Sequence, residues 1–95
     1  MPKGYVVARI TVTDPDRYGE YVAMASEAMR IYGGAPLARG GRHEALEGEA
    51  RPRNVVIEFA SYEQARAYYY SEEYQAAVRH RRPAATAELV LVEGV

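Results

Sequence analysis

The chain has no cysteine, no tryptophan and a single phenylalanine. No apolar run approaches the roughly 20 residues that a membrane span needs, so a membrane partner is not expected. Without cysteine there are no disulfides, no thiolate nucleophile and no cysteine-ligated zinc or iron–sulfur centre; the lack also agrees with a reducing compartment. An excess of one charge is missing too. Twelve basic and thirteen acidic side chains leave a formal charge of −1. Nucleic-acid binding needs clustered Lys and Arg against phosphates, so no nucleic-acid partner is expected. Met1-Pro2-Lys3-Gly4 runs directly into a strand-like segment containing Arg9. No signal peptide is read there, and a cytoplasmic location is the expectation.

What is present is ordinary globular material: 48% hydrophobic and 26% charged residues in a chain of 95. That is too much apolar content for a disordered chain and enough length for one domain, residues 1–95. A domain of this size buries only roughly 60–65% of the surface its unfolded chain exposes, and association with a second copy is a common remedy for so small a core. Nine of the ten aromatic residues are tyrosine. An apolar ring carrying a hydroxyl suits half-buried seams and the walls of polar-aromatic cavities.

Periodicity sets out the elements. Tyr5 to Val12 alternates, with Val6, Ala8, Ile10 and Val12 on a wholly apolar face and Tyr5, Val7, Arg9 and Thr11 on a mixed one. Thr13-Asp14-Pro15-Asp16 marks a helix start, either with Asp14 as cap and Pro15 at the first helical position or with Thr13 as cap and Asp16 closing a capping box. Tyr18, Val22, Ala25, Met29 and Tyr32 make a helical stripe that Gly33-Gly34 ends. Ala35 to Arg39 reads as a short strand, Gly40-Gly41 as a tight hairpin or bulge, and Arg42 to Leu46 as the returning strand, followed by a solvated loop from Glu49 to Asn54. Val55 to Phe59 is nearly continuously apolar and is expected at the centre of a sheet. Ser61-Tyr62-Glu63-Gln64 is a capping box that opens a helix carrying Ala65, Tyr68 and Tyr69. Ser71 is a fresh cap, so this helix is expected to break and resume with Tyr74, Ala77, Val78 and Arg81 until Pro83 stops it. Thr86 to Glu93 is a last alternating strand.

Two βαβ units with right-handed crossovers give a ferredoxin-like βαββαβ order: an antiparallel four-stranded sheet of the α+β class with two helices on one face. The strands carry apolar residues in both phases: Val6 and Val7, Val56 and Ile57, Val90 and Leu91. The face away from the helices is therefore also partly apolar, and a second copy would shield it, so a homodimer is expected.

Thr13-Asp14-Pro15 followed by Tyr18 and Tyr21, then Tyr32-Gly33-Gly34, Arg39-Gly40-Gly41, Glu47-Gly48, Val56-Ile57-Glu58-Phe59, Ser71-Glu72-Glu73-Tyr74 and the closing Val92-Glu93-Gly94 resemble the DUF1330 family over nearly the whole chain. The departure from its pattern is the run Tyr68-Tyr69-Tyr70. The resemblance implies a dimeric α+β barrel, in which two sheets close face to face with helices outside. It also places the chain in a superfamily that holds cofactor-free quinone-forming monooxygenases, muconolactone isomerases and haem-binding enzymes. The family has no established activity, so the resemblance supplies no catalytic residues.

Chemistry-bearing residues are few. Glu58 interrupts the central apolar strand, where a carboxylate needs a partner. It is expected to share a face with Arg9, as an ion pair or as a general base beside a ligand anchor. Arg39 precedes two glycines, where a guanidinium can grip a carboxylate with two prongs. His43 follows on the returning strand, and histidine is the side chain most often used to pass a proton. Convergence of Arg39, His43 and Glu58 on one cavity would make an acid–base and carboxylate-binding set, with Glu58 and His43 as catalytic candidates and Arg39, Arg9 and Tyr69 as ligand-binding ones. Each also has a plain structural reading: a buried ion pair, a turn, an exposed filler, a seam. Arg79-His80-Arg81-Arg82 sits at a helix C-terminus, where the macrodipole favours cations. His43 and His80 lie in no ligand-spaced motif, and no cofactor signature occurs, so neither metal nor cofactor is expected.

Three functions follow: a small cofactor-independent enzyme of isomerase or monooxygenase type acting on a small polar or aromatic metabolite, a small-molecule-binding dimer without turnover, or a structural or stress-related interaction protein. An enzyme calls for a cavity between sheet and helices with at least two ionisable side chains. A binder calls for a mostly apolar, tyrosine-walled cavity, and a structural role calls for no cavity larger than a few waters.

Overall fold

The structure, a computed structural model, describes residues 2–95. Strand β1 (Gly4–Val12) lies between β3 (Arg53–Phe59) and β4 (Ala85–Glu93), and β2 (Ala35–Arg39) adds to the far side of β3. All pairings are antiparallel, in the order β2-β3-β1-β4. Val55 to Phe59 is thus internal, as its apolar run requires.

Register assigns the faces. Val6, Ala8 and Ile10 of β1 and Val55, Ile57 and Phe59 of β3 are buried, all of one parity, and join one core with residues of helices α1 (Pro15–Ile31), α2 (Tyr62–Tyr70) and α3 (Glu72–Arg81). The helices therefore cover one side only. On the other side Val56, Val7 and Val90 stand in one row across three strands, next to a row of Glu58, Tyr5 and Val92. Val90 is 57% exposed and Val92 46%. The neighbouring rows are polar: Asn54, Arg9 and Glu88, then Thr11 and Thr86.

Local signals account for most boundaries. Asp14 caps α1, its Oδ1 accepting from the Arg17 amide at 3.2 Å, with Pro15 at the first helical position, which decides between the two caps the sequence allows. Ser61 Oγ accepts from the Gln64 amide at 3.0 Å. The capping box is not reciprocated, because the Gln64 side chain donates instead to the Tyr32 carbonyl at 2.9 Å and ties the start of α2 to the end of α1. Ser71 has extended backbone, ends α2 and caps α3: its hydroxyl donates to the Tyr68 carbonyl at 2.7 Å and accepts from the Tyr74 amide at 3.0 Å. The expected break in the second helix is real, and there are three helices rather than two.

Two expectations fail. Arg42 to Leu46 forms no strand; β2 pairs directly with β3, with Gly40 in the left-handed region at φ 68° and its amide donating to the Asn54 carbonyl at 3.0 Å. Arg53 and Asn54, read as loop, extend β3 and pair with Ile10 and Arg9 of β1, while Val55 to Glu58 take the pairing with β2 that a hairpin return would have used. Arg42-His43-Glu44-Ala45-Leu46 has no apolar face to bury, and Leu46 is 85% exposed. The α1 stripe is also wider than its single row. Tyr21 and Ala28 are buried with Tyr18 and Ala25, while Val22, Met29 and Tyr32 are half-buried. α1 packs on the sheet and on α3 together, so its apolar arc spans two contact directions.

Replacing Ser71 with Ala removes the α3 cap and leaves the Tyr68 carbonyl without its buried donor. Urea unfolding should show a loss of about 2 kcal/mol, against about 1 kcal/mol for Ser61→Ala, where only the partly buried cap bond goes.

Candidate functional site

A half-open cavity of about 50 Å³ lies between the sheet and α1, room for roughly four waters. Its floor is Val6, Ala8, Ile10, Val55 and Ile57; its walls are Tyr18, Tyr21, Tyr68 and Tyr74, with Val22, Ala25 and Met29 from α1. The rings form a continuous cluster, tilted or edge-to-face, with centroids 5.3 Å apart for Tyr18–Tyr21, 6.1 Å for Tyr21–Tyr74 and 4.7 Å for Tyr68–Tyr74. Two charged residues reach it, Arg39 and Arg53, and no acidic residue lines it. A wider hollow of about 260 Å³ opens beside edge strand β4, between Tyr69, Tyr70, Leu89, Val90 and Leu91, with no charged lining.

The tyrosine hydroxyls are the polar part of the inner wall. Tyr21 and Tyr74 hydroxyls are 2.8 Å apart and buried, so one donates to the other. Arg81, only 7% exposed, stacks its guanidinium 5.5 Å from the Tyr21 ring centre. It forms no ion pair among the described residues, and its Nε is buried without a hydrogen-bond partner. A buried cation without a carboxylate is costly; the tyrosine faces and hydroxyl dipoles are what surround it here. Burial holds the Tyr21 hydroxyl well above the ordinary tyrosine range, reinforced by Tyr74 beside it, while Arg81 pulls the other way. Burial likewise raises Tyr68 and Tyr74, again opposed by Arg81. All three are therefore neutral hydrogen-bonding groups at physiological pH, not bases.

The structure distributes the sequence candidates rather than gathering them. Arg39 is at the cavity rim. Glu58 lies on the opposite sheet face, where its Oε2 accepts from the Tyr5 hydroxyl at 3.1 Å. Arg9 shares that face, as its parity requires, but does not pair with Glu58: it stands four residues along β1 from Tyr5, opposite Asn54 and Glu88, with its Nε donating to Asn54 Oδ1 at 3.3 Å. His43 is on the exposed loop, its Nδ1 3.4 Å from the Gly41 carbonyl. Tyr69 lies tilted against Tyr74 with ring centroids 5.4 Å apart, but lines the hollow at the β4 edge, not the inner cavity. So Arg39, His43 and Glu58 do not converge: the sheet separates Glu58 from Arg39, and the missing hairpin strand leaves His43 in solvent. Among the described residues no group of three or more His, Asp or Glu side chains could hold a metal ion, and no helix is long and apolar enough to cross a membrane.

Tyr21 and Arg53, which line the cavity, and Arg81, which packs on Tyr21 behind it, are not singled out for chemistry by the sequence. Arg53 was placed in a loop and Tyr21 falls outside the single stripe of α1. Arg81 did carry a signal, since it continues the Tyr74, Ala77, Val78 spacing onto the buried side of α3, but its place in a basic run makes helix-end capping the simpler reading.

The family model described as "Domain of unknown function (DUF1330)" matches residues 3–95. The chain belongs to the DUF1330 family. No curated protein shows a significant sequence match to it. Among solved structures, a protein of unknown function from Rhodopseudomonas palustris superposes with a TM-score of 0.73 at 18% identity, covering 99% of this chain and 83% of that one. A dimeric ferredoxin-like protein of unknown function from Thermobifida fusca YX gives 0.65 at 17% identity, over 97% and 91% of the two chains. SnoaB, a cofactor-independent oxygenase from Streptomyces nogalater, gives 0.62 at 16%, over 97% and 92%. Likeness at these identities establishes the ferredoxin-like α+β fold of this DUF1330 chain and nothing about its chemistry.

Two measurements probe the tyrosine wall. In a double-mutant cycle read by urea unfolding, Tyr21→Phe and Tyr74→Phe should each cost about 1–3 kcal/mol, because each strands a buried hydroxyl, while the double variant costs less than their sum. In alkaline titration followed by phenolate absorbance, Tyr21, Tyr68 and Tyr74 should stay silent until the chain unfolds. Their folded values lie above the unfolded value of about 10, so the unfolded state releases protons first; stability should be full below about pH 10 and fall as pH rises above it.

Proposed function

We propose that this DUF1330 protein is a homodimer in which each protomer binds a small molecule in the cavity between sheet and α1. The observation that carries the reading is the composition of that cavity: apolar floor, tyrosine walls, two arginines at the rim and no carboxylate or histidine. A cavity of that kind encloses and orients a ligand, but its own side chains offer no general base at neutral pH. Support for the dimer comes from the Val56–Val7–Val90 row and from Val92, apolar side chains on a sheet face that this chain does not cover. The dimeric Thermobifida fusca protein, with the same fold, is consistent with it.

A second reading, a cofactor-independent enzyme of oxygenase or isomerase type, is favoured by one feature, the Tyr21–Tyr74 hydroxyl pair backed by Arg81. Neutral hydroxyls polarised by a buried cation can donate to an enolate or phenolate oxygen as charge develops there. Catalysis would then rest on a substrate acidic enough to lose its proton with little help.

Native mass spectrometry of the protein purified from its own cells, followed by a metabolite-library screen, should reveal a retained or rebinding small molecule. If no compound binds, the proposal fails. Turnover that Tyr74→Phe abolishes while binding persists would establish the second reading over the first. For the assembly, Val7→Asp should convert a sedimenting dimer to a folded single protomer with unchanged far-ultraviolet dichroism. A wild-type protein that sediments as one protomer at micromolar concentration overturns the dimer.

A further inference from the structure

Arg39 and Arg53 are neighbours that no acid among the described residues pairs with. Arg39 pairs with Val55 across the β2–β3 ladder, and Arg53 precedes Val55 by two residues on the same helix-facing side. The two are therefore diagonal partners on adjacent antiparallel strands. Such positions lie roughly 7–8 Å apart, well within the reach of two long side chains. Both line the cavity, whose remaining lining holds no acid. Neither forms an ion pair among the described residues. Two guanidinium groups within reach of each other repel, so the arrangement is a local cost unless an anion sits between them.

Arg53 is also held in place. Its guanidinium lies 5.6 Å from the Tyr18 ring centre, a cation–π contact with a cavity wall. On its other side is Gly40, where any Cβ would collide with Arg53 Nη1. The glycine has a second reason to be there, its φ of 68°. Arg53 Nε is buried and has no hydrogen-bond partner. A donor that is out of water and unpartnered is poised for a ligand acceptor.

Building on the cavity-binding reading above, we infer that the cavity takes an organic monocarboxylate, its carboxylate held between Arg39 and Arg53 at the rim and its short apolar or aryl tail directed inward among Tyr18, Tyr21 and Val22. Planar guanidinium forks match a carboxylate's two oxygens. A cavity of about 50 Å³ accepts a tail of a few carbons as it stands. An aryl ring needs more room, which the flexible, half-buried Met29 on the cavity wall can supply by changing rotamer.

The test is a set of NMR titrations of the full chain with butyrate and benzoate, each against its neutral amide, butyramide and benzamide. The acids should bind at least roughly tenfold more tightly than the amides, the expected scale for a charge-assisted bond. Perturbed amides should cluster at Val22, Ala25 and Val55. Arg39→Gln and Arg53→Gln should each lose the preference for acid while keeping the affinity for amide. Without ligand, Arg39→Gln should melt at or above the wild-type temperature, because like-charge repulsion is relieved; a merely structural arginine would lower it. Amides that bind as well as acids, glutamine variants that bind acid like the wild type, or perturbations that map elsewhere overturn the carboxylate assignment and leave the cavity reading standing. If neither acids nor amides bind, both fall.

Discussion

Every side chain in this domain takes its destination from the register of one strand. β1 is paired along its whole length with β4 and over most of it with β3, so a residue's parity on β1 fixes which residues flank it and on which side of the sheet all of them stand. A slip of one residue would carry Val6, Ala8 and Ile10 out of the core and put Tyr5, Val7 and Arg9 beneath the helices. Arg9 under α1 would be an unpaired buried charge, which is what makes the observed register the stable one. The tyrosine wall, the arginine rim and the valine row opposite all inherit their positions from this pairing.

That constraint also segregates charge. Of the sheet's three acids, Glu58 and Glu88 point away from the helices, where Glu58 accepts from Tyr5 and Glu88 meets Arg51 at 2.8 Å, and Glu93 stands at the very end of β4, opposite Gly4. The cavity on the helix-facing side keeps only Arg39 and Arg53 as charged lining. One sheet thus presents a partly apolar, mixed-charge face to its surroundings and a positive, tyrosine-lined cavity to its own helices. In a medium of low polarity the sign of the few charges at a cavity rim outweighs the chain's near-zero total, so the formal charge of −1 says little about the ligand.

Tyrosine suits this interior for a reason beyond its size. With no tryptophan and one phenylalanine, the core under the helices is built from rings whose hydroxyls must find partners. Tyr21 and Tyr74 find each other across α1 and α3, and Arg81 stacks on the same cluster. The contact between α1 and α3 is therefore polar at its centre and apolar around it. Such a seam fixes the helices' relative position more narrowly than interchangeable aliphatic side chains would.

The sequence by itself determined the element order, the caps at Asp14, Ser61 and Ser71, the internal place of Val55–Phe59 and the two-sided apolar character of the sheet, because each of these is set by neighbours within a turn or by period-two alternation. It also marked Arg39, through the glycines that follow it. Only the tertiary structure decided that Arg42–Leu46 stays unpaired, that Arg53 belongs to a strand, that Arg81 turns inward and that Glu58 meets Tyr5 rather than Arg9. Each of those depends on competition for a partner distant in the chain: two segments for one edge of β3, a cation between solvent and a tyrosine cluster, a carboxylate between two rows of the same face. Local pattern states what a residue can do, and long-range packing selects among the possibilities, since the free energy that separates them comes from groups brought together only by folding.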